Sequence, residues 1–360
     1  MFPGRTGSIA SSSGKRGKGV ERGGAAPDRV YLDYAGFAPV DPRVLAVMRP
    51  FLEAGIGNPS APHSLGAEAR ESLEAARAKV ARLVGGASSG IVFTSGATEA
   101  NNLAIRGVGL RAGTPAAHII TSSVEHMSVL NACRELEKGG ATVTLLPVDA
   151  VGAIGRIPLP GEALGLDLVT VASNDIYGPP GAGALWVRTG VRLAPILLGG
   201  GQEGGYRSGT ENLPAVVGMG VAAELIRAEG LHGEAARLQA LRDRLVEGLL
   251  LSIPGCRLTG APAKRLPHHA SLVLRGVKAD SILLDLDLAG VAASSGSACA
   301  QRTGTPSPVL RAIGCTREEM EGSLCFTFGR WSTAAEVEAV VQCLPPIVAR
   351  LRALALPAPR

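Results

Sequence analysis

The sequence predicts an α/β protein: a mostly parallel central sheet sandwiched by helices, followed by a smaller α+β domain at the C-terminus. Three observations carry this. A chain of 360 residues exceeds the usual size of a single core. From residue 90 onward, strand, glycine turn and helix repeat as units, which implies parallel strands covered on both faces. Beyond about residue 252 that alternation gives way to short strands and helices ending in one long helix. The expected organisation is a disordered basic tail over 1–29, a large α/β domain over 30–251 and a small α+β domain over 252–360.

The elements follow in order. "VYLDYAGFAPVDP" reads as a short strand and turn, and Asp41-Pro42 places an N-cap and a first-turn proline ahead of a helix. Residues 65–84, rich in Ala, Leu, Glu and Arg at helical spacing, predict a long helix. "IVFTSG" with "ATEANNLAIRGVG", "HIITSS" with "MSVLNACRELEKGG", and then "ATVTLLPV" form the repeating units, and "LDLVTVAS" and "AGALWVR" continue the sheet. Helices are predicted at about 213–229 and 232–251, and the C-terminal part reads strand, strand ("ASLVLRG"), helix, strand ("VAASSG"), loop, helix, strand ("SLCFTFG"), long helix.

Composition excludes several classes. The formal charge is +5, but residues 1–29 hold Arg5, Lys15, Arg16, Lys18, Arg22 and Arg29 against Glu21 and Asp28, so the body is nearly neutral. A nucleic-acid groove needs basic residues clustered on a folded face, and none is expected here. The tail, with few large apolar side chains, cannot bury enough surface to fold. It also lacks the apolar face of a transit peptide. With 46% hydrophobic residues, no apolar run approaches the ~18 residues of a membrane span. The six cysteines are scattered without a C-x-x-C pair, so neither a disulfide framework nor a zinc site is indicated, and a cytoplasmic setting is expected.

The first informative site is "TSGATEANN", residues 94–102, a glycine turn at a strand's carboxyl end that leads into a helix. Ligands of open α/β sheets bind at such places, and free N–H groups at a helix start favour phosphate. Locally the signal is weak, since most such turns are only turns.

Seven motifs together are more specific. "YLDYAGFAPVDP", "GNPSAPHSLG", "FTSGATEANNLAI", "EHMSVLNAC", "YGPPGAGALWVR", "GGGQEGGYRSGTEN" and "SSGSACA" occur in this order over roughly residues 30–350. In this the chain resembles the cysteine desulfurases, of the class V aminotransferase group with the fold-type I pyridoxal-phosphate architecture. The resemblance implies pyridoxal phosphate as cofactor, L-cysteine as substrate, a persulfide on a mobile-loop cysteine, and a homodimer that serves an iron–sulfur scaffold or sulfur-carrier protein. By resemblance, Ala97 and Thr98 would meet the cofactor phosphate, His126 would stack on its ring, Arg207 would serve the substrate, and Cys299 would accept sulfur. Thr210 would reach the phosphate in the neighbouring subunit. Cys299 lies among Ser, Gly and Thr, where a thiol is free to swing and thiolate formation sets its reactivity.

The pattern also breaks. The family attaches its cofactor through a lysine that follows a histidine; here "ASNDIYGPPG" puts Asn174 and Asp175 in those places. A carboxylate cannot condense with an aldehyde, and none of the six lysines (Lys15, Lys18, Lys79, Lys138, Lys264, Lys278) stands at the end of a predicted core strand. Cys325 occupies the place of the arginine that grips the substrate carboxylate, and a thiol has no bidentate equivalent. The middle of the chain is short: "PVDAVGAIGRIPL" does the duty of a β-α-β stretch. Under one alignment of that segment Asp149 faces the pyridinium nitrogen and Gly152 replaces a glutamine. The loss of a central strand pair is expected to leave sheet edges unpaired. Two functions follow: a catalytically silent dimeric platform for a scaffold or carrier, with Asp175 and Cys299 as speculative iron or zinc ligands, or an active desulfurase.

Overall fold

The computed structural model describes residues 29–53, 57–113, 117–122, 125–146, 153–158, 162–296 and 307–355. Residues 1–28 of the predicted tail, Asp149 and Cys299 lie outside the described residues.

The N-terminal segment contributes β1 (Val30–Tyr31), α1 (Pro42–Glu53) and α2 (Ser64–Val84). Asp41 starts α1 as predicted: its carboxylate accepts from the Arg43 N–H at 2.9 Å. His63 caps α2 through Nδ1, which accepts from the Gly66 N–H at 3.1 Å, and Gly85 ends the helix in the left-handed conformation. The repeating units follow as β2 (Ile91–Thr94), α3 (Ala97–Ala112), β3 (His118–Ser122), α4 (Met127–Lys138), β4 (Thr142–Leu146), β5 (Leu168–Ala172) and β6 (Gly183–Val187). Next come α5 (Leu213–Glu229) and α6 (Leu231–Ser252), close to their predicted bounds. The C-terminal part holds β7 (Cys256–Leu258), β8 (His269–Leu274), α7 (Ala279–Leu288), β9 (Val291–Ala292), α8 (Pro308–Ala312), α9 (Arg317–Glu321), β10 (Ser323–Thr327) and α10 (Ala334–Ala355).

The central sheet is present in two pieces, β2-β6-β5 and β3-β4. β3 and β4 pair parallel, whereas β6 runs antiparallel to both β2 and β5. The connection from Ala172 to Gly183 explains the reversal, because a parallel return needs a crossover of about a dozen residues or more and usually a helix. Between the end of β4 and the start of β5 no helix or strand is present among the described residues. Among the described residues β5 pairs only with β6 and β3 only with β4.

Two large cores form. α2 packs on α5, and Leu73, Ala76, Val80, Val216, Met219 and Trp186 are buried in the first. Gly220 permits this close approach: a Cβ there would lie 2.8 Å from the Ala76 Cα. The second core gathers β8, β10, α7 and α10 around Phe326, Phe328 and Leu344, and α6 buries Leu238, Leu245 and Leu249 in it. Tyr177 clasps the halves together. Its ring lies 4.9 Å from the Arg156 guanidinium carbon and 4.7 Å from that of Arg330, and its hydroxyl accepts from the Arg330 N–H at 2.9 Å. Arg330 in turn pairs with Asp41 and Glu229.

Candidate functional site

The site is assembled from the carboxyl ends of β2 and β5, where the chain turns into α3 and into a short 3-10 turn at Ser173–Ile176. At α3 the backbones of Gly96 and Gly183 touch so closely that a Cβ on Gly183 would lie 2.6 Å from the Gly96 Cα. That contact holds the first turn of α3 against β6. The N–H groups of Ala97 and Thr98 belong to the unbonded first turn of the helix and can receive an anion.

Glu99 closes that turn. One carboxylate oxygen accepts from the Ser95 N–H at 2.8 Å and the other pairs with Arg207 Nε at 2.9 Å. Burial pushes the Glu99 carboxyl up, but the bonds from Arg207 and Ser95 outweigh it and hold the group below its ordinary range. Arg207 is therefore already committed to a carboxylate of its own chain. Thr210, three residues on, is exposed.

His126 caps α4: its Nδ1 accepts from the Ser128 N–H at 3.1 Å, a structural use that the sequence did not indicate. A cavity of about 380 Å³ between α3 and α4 is lined by Thr98, Asn102, Arg106, His126, Ser128 and Asn131. The structure thus brings Thr98 and His126 together. Asp175, Arg207 and Cys325 do not line this cavity. A larger cavity of about 640 Å³, beside the buried Arg77–Glu203 pair, contains none of the residues singled out by sequence.

Asp175 sits in the 3-10 turn after β5, half-buried, and accepts from Asn174 Nδ2 at 3.1 Å. Burial pushes its carboxyl up, opposed by the positive charge of Arg156. Arg156 is itself buried, 5% exposed, and lies against the Tyr177 ring beside the Asp175 backbone. No sequence signal marked Arg156 for the interior, since an arginine in a Gly-rich loop reads as solvated.

Cys325 lies in the middle of β10, buried, with Sγ 3.3 Å from His269 Nε2 of the paired strand β8. Burial pushes this thiol up to about 12, the Asp33 charge adds to the rise, and a hydrogen bond with Ser294 opposes it. A buried neutral thiol offers no bidentate grip on a carboxylate. Among the described residues no group of three or more His, Cys, Asp or Glu side chains could hold a metal ion. Nor is any helix there long and apolar enough to cross a membrane.

The residues present do not fit a covalently held pyridoxal phosphate. The strand-end position opposite the phosphate-type turn carries a carboxylate, and the space beside it is filled by Arg156. Lys138, Lys264 and Lys278 are exposed, and Lys79 lies on α2 near Glu224.

Comparison with known proteins places these features in context. The aminotransferase class-V family profile matches residues 30–154 and 144–340, two segments that share residues 144–154. A cysteine desulfurase (IscS 1) of Archaeoglobus fulgidus is 42% identical over 376 residues, covering 90% of this chain and 98% of that protein. One from Trichormus azollae is 39% identical, covering 90% of this chain and 94% of its own. Among solved structures, a NifS-like protein superposes with a TM-score of 0.83 at 28% identity, over 90% of this chain and all of its own. A NifS-like protein from Rickettsia africae gives 0.77 at 25% identity, over 89% of this chain and 99% of that one.

Proposed function

The chain belongs to the aminotransferase class-V family, and from that membership we propose that it serves cysteine-derived sulfur mobilisation and iron–sulfur assembly as a catalytically silent, cytoplasmic homodimeric platform for a scaffold or sulfur-carrier protein. The family is pyridoxal-phosphate dependent and its curated relatives here are named cysteine desulfurases. One observation carries the reading: Asp175, which the motif resemblance sets at the attachment position, is a half-buried carboxylate at the end of β5, and among the described residues no lysine contributes to its electrostatics. Losing the amine removes covalent catalysis and its proton transfers together, the latter alone a factor of roughly 10²–10⁴. The N-terminus of α3 contributes only ~0.3–1 kcal/mol toward a phosphate, less than tenfold in affinity.

Three further features support it. Arg207 is held by Glu99, and Cys325 is a buried neutral thiol. Thr210 is exposed, as a residue that acts across a dimer has to be. The purified full chain, incubated with L-cysteine and pyridoxal phosphate, is expected to release no alanine above a Cys299→Ser variant, and borohydride is expected to fix no cofactor to it. Alanine above that control, or cofactor fixed to a lysine of the wild-type chain, would refute the platform role.

A second reading is an active desulfurase, yielding L-alanine and a persulfide on Cys299. It is favoured by the cavity that Thr98 and His126 share next to the open first turn of α3. The same assay separates the two readings.

A further inference from the structure

The larger cavity, about 640 Å³, shares no lining residue with the one beside Thr98 and His126. It lies at the other end of the β2-β6 pair from α3, where Ile91 begins β2 and Val187 ends β6. Part of its wall is fixed by a buried ion pair. Arg77 Nη1 and Nη2 donate to the two Glu203 oxygens at 2.8 and 2.7 Å, and Glu203 also accepts from the Phe93 N–H at 2.7 Å. Glu203 adopts a left-handed φ of 51°, which is uncommon for a residue with a side chain and is held here by those bonds.

Three arginines and three glutamates line the cavity, and most of their charge is spent within the chain. Arg77 is matched by Glu203 and Glu74, and Arg188 pairs with Asp167. Two groups are left over. Arg70 Nη1 donates to the Pro59 carbonyl at 2.8 Å, and no carboxylate pairs with this guanidinium among the described residues. Glu211 Oε2 is enclosed by protein and has no hydrogen-bond partner. The residue is pinned just before α5, because the Leu213 N–H donates to its carbonyl at 2.8 Å and Asn212 caps the helix. A carboxylate oxygen shut away from water without a donor is costly, and a donor supplied from outside the chain removes that cost.

We propose that this cavity binds a free α-amino acid, whose ammonium group donates to Glu211 Oε2 and whose carboxylate faces Arg70. Equal numbers of positive and negative lining groups suit a ligand that carries one charge of each sign, and Leu73 and Tyr206 offer apolar surface to its side chain. This goes beyond the platform reading and is independent of it, since neither Asp175 nor any residue of the Thr98–His126 cavity takes part.

The full chain is dialysed to equilibrium against a mixture of the twenty standard amino acids at millimolar concentration, and what the protein retains is identified by mass spectrometry. At least one amino acid is expected to be retained saturably. Titration calorimetry then compares it with its decarboxylated amine and its deaminated acid, each of which is expected to bind at least about tenfold more weakly. Glu211→Gln and Arg70→Gln are each expected to weaken binding by a similar factor without lowering the melting temperature, because Arg70 is exposed and Glu211 Oε2 has no partner to lose. Should either variant be destabilised, the two analogues decide the matter on wild-type protein. Retention of no amino acid, binding that survives Glu211→Gln, or equal binding of the analogues overturns the proposal. So does a lower oligomeric state of the Glu211→Gln protein in light scattering, since a second copy of the chain would then supply the missing donor.

Discussion

The β2-β6-β5 layer and the β3-β4 pair are built from similar sequence, short β-branched runs each next to a helix, yet they end in different physical states. All residues of β2 and β6 are buried, with Trp186 and Leu185 among the most enclosed side chains of the protein. In β3 the burial alternates, and Ile120 stays 60% exposed. A β-strand is stabilised by what covers its faces and flanks its edges; β6 has β2 and β5 on its two edges and β2 is covered on both faces, whereas among the described residues β3 has β4 on one edge and an exposed face.

The sharpest way to break the comparison is to cut equally into both regions. Leu185→Ala in β6 is expected to cost about 2–5 kcal/mol in urea unfolding, because it leaves a cavity in close-packed surroundings. Equal losses from Leu185→Ala and from a truncation in β3 would show that the β3-β4 pair is as consolidated as the larger piece.

Two aspartates extend the contrast to charge. Asp41 accepts from Arg43 and faces Arg330, and these hold its carboxyl down at about 2 from an ordinary 3.8. A depressed value contributes stability that is fully present above the unfolded pKa and is lost as pH falls toward about 2. Asp41→Ala is expected to cost about 1–2 kcal/mol at neutral pH, as for a lost helix cap, and the difference from wild type is expected to shrink as pH falls. Asp175 is the opposite case: burial raises it, so its contribution is present below the unfolded value and is lost as pH rises through the folded one. Asp175→Asn is thus expected to stabilise by about 1 kcal/mol at neutral pH and to give no gain in acid. A loss of stability at neutral pH would mean that the Asp175 charge is fully compensated by Arg156.

The smallest effect belongs to the exposed edge. Ile120→Thr is expected to change stability by no more than about 0.5 kcal/mol, as for other surface positions. A larger loss would place a covering partner over β3.

Most elements were legible because local rules agreed. The Asp41-Pro42 start, the helical spacing of 65–84 and the strand-turn-helix units reappear nearly residue for residue. Thr98 and His126 were found by resemblance, and they do line one cavity. The buried Arg156, the Glu99 clasp on Arg207 and the His269 partner of Cys325 were not legible, since each joins residues far apart in sequence. The sequence predicted α6 as a helix but not that Leu238, Leu245 and Leu249 would pack into the second core.

By itself the sequence determined the order of strands and helices and the family, because periodicity and motif order are properties of the chain read in line. Only the tertiary structure decided that β6 reverses direction and that Arg156 packs beside Asp175. These depend on which groups share space after folding, and burial and hydrogen-bond partners are set by that proximity rather than by order along the chain.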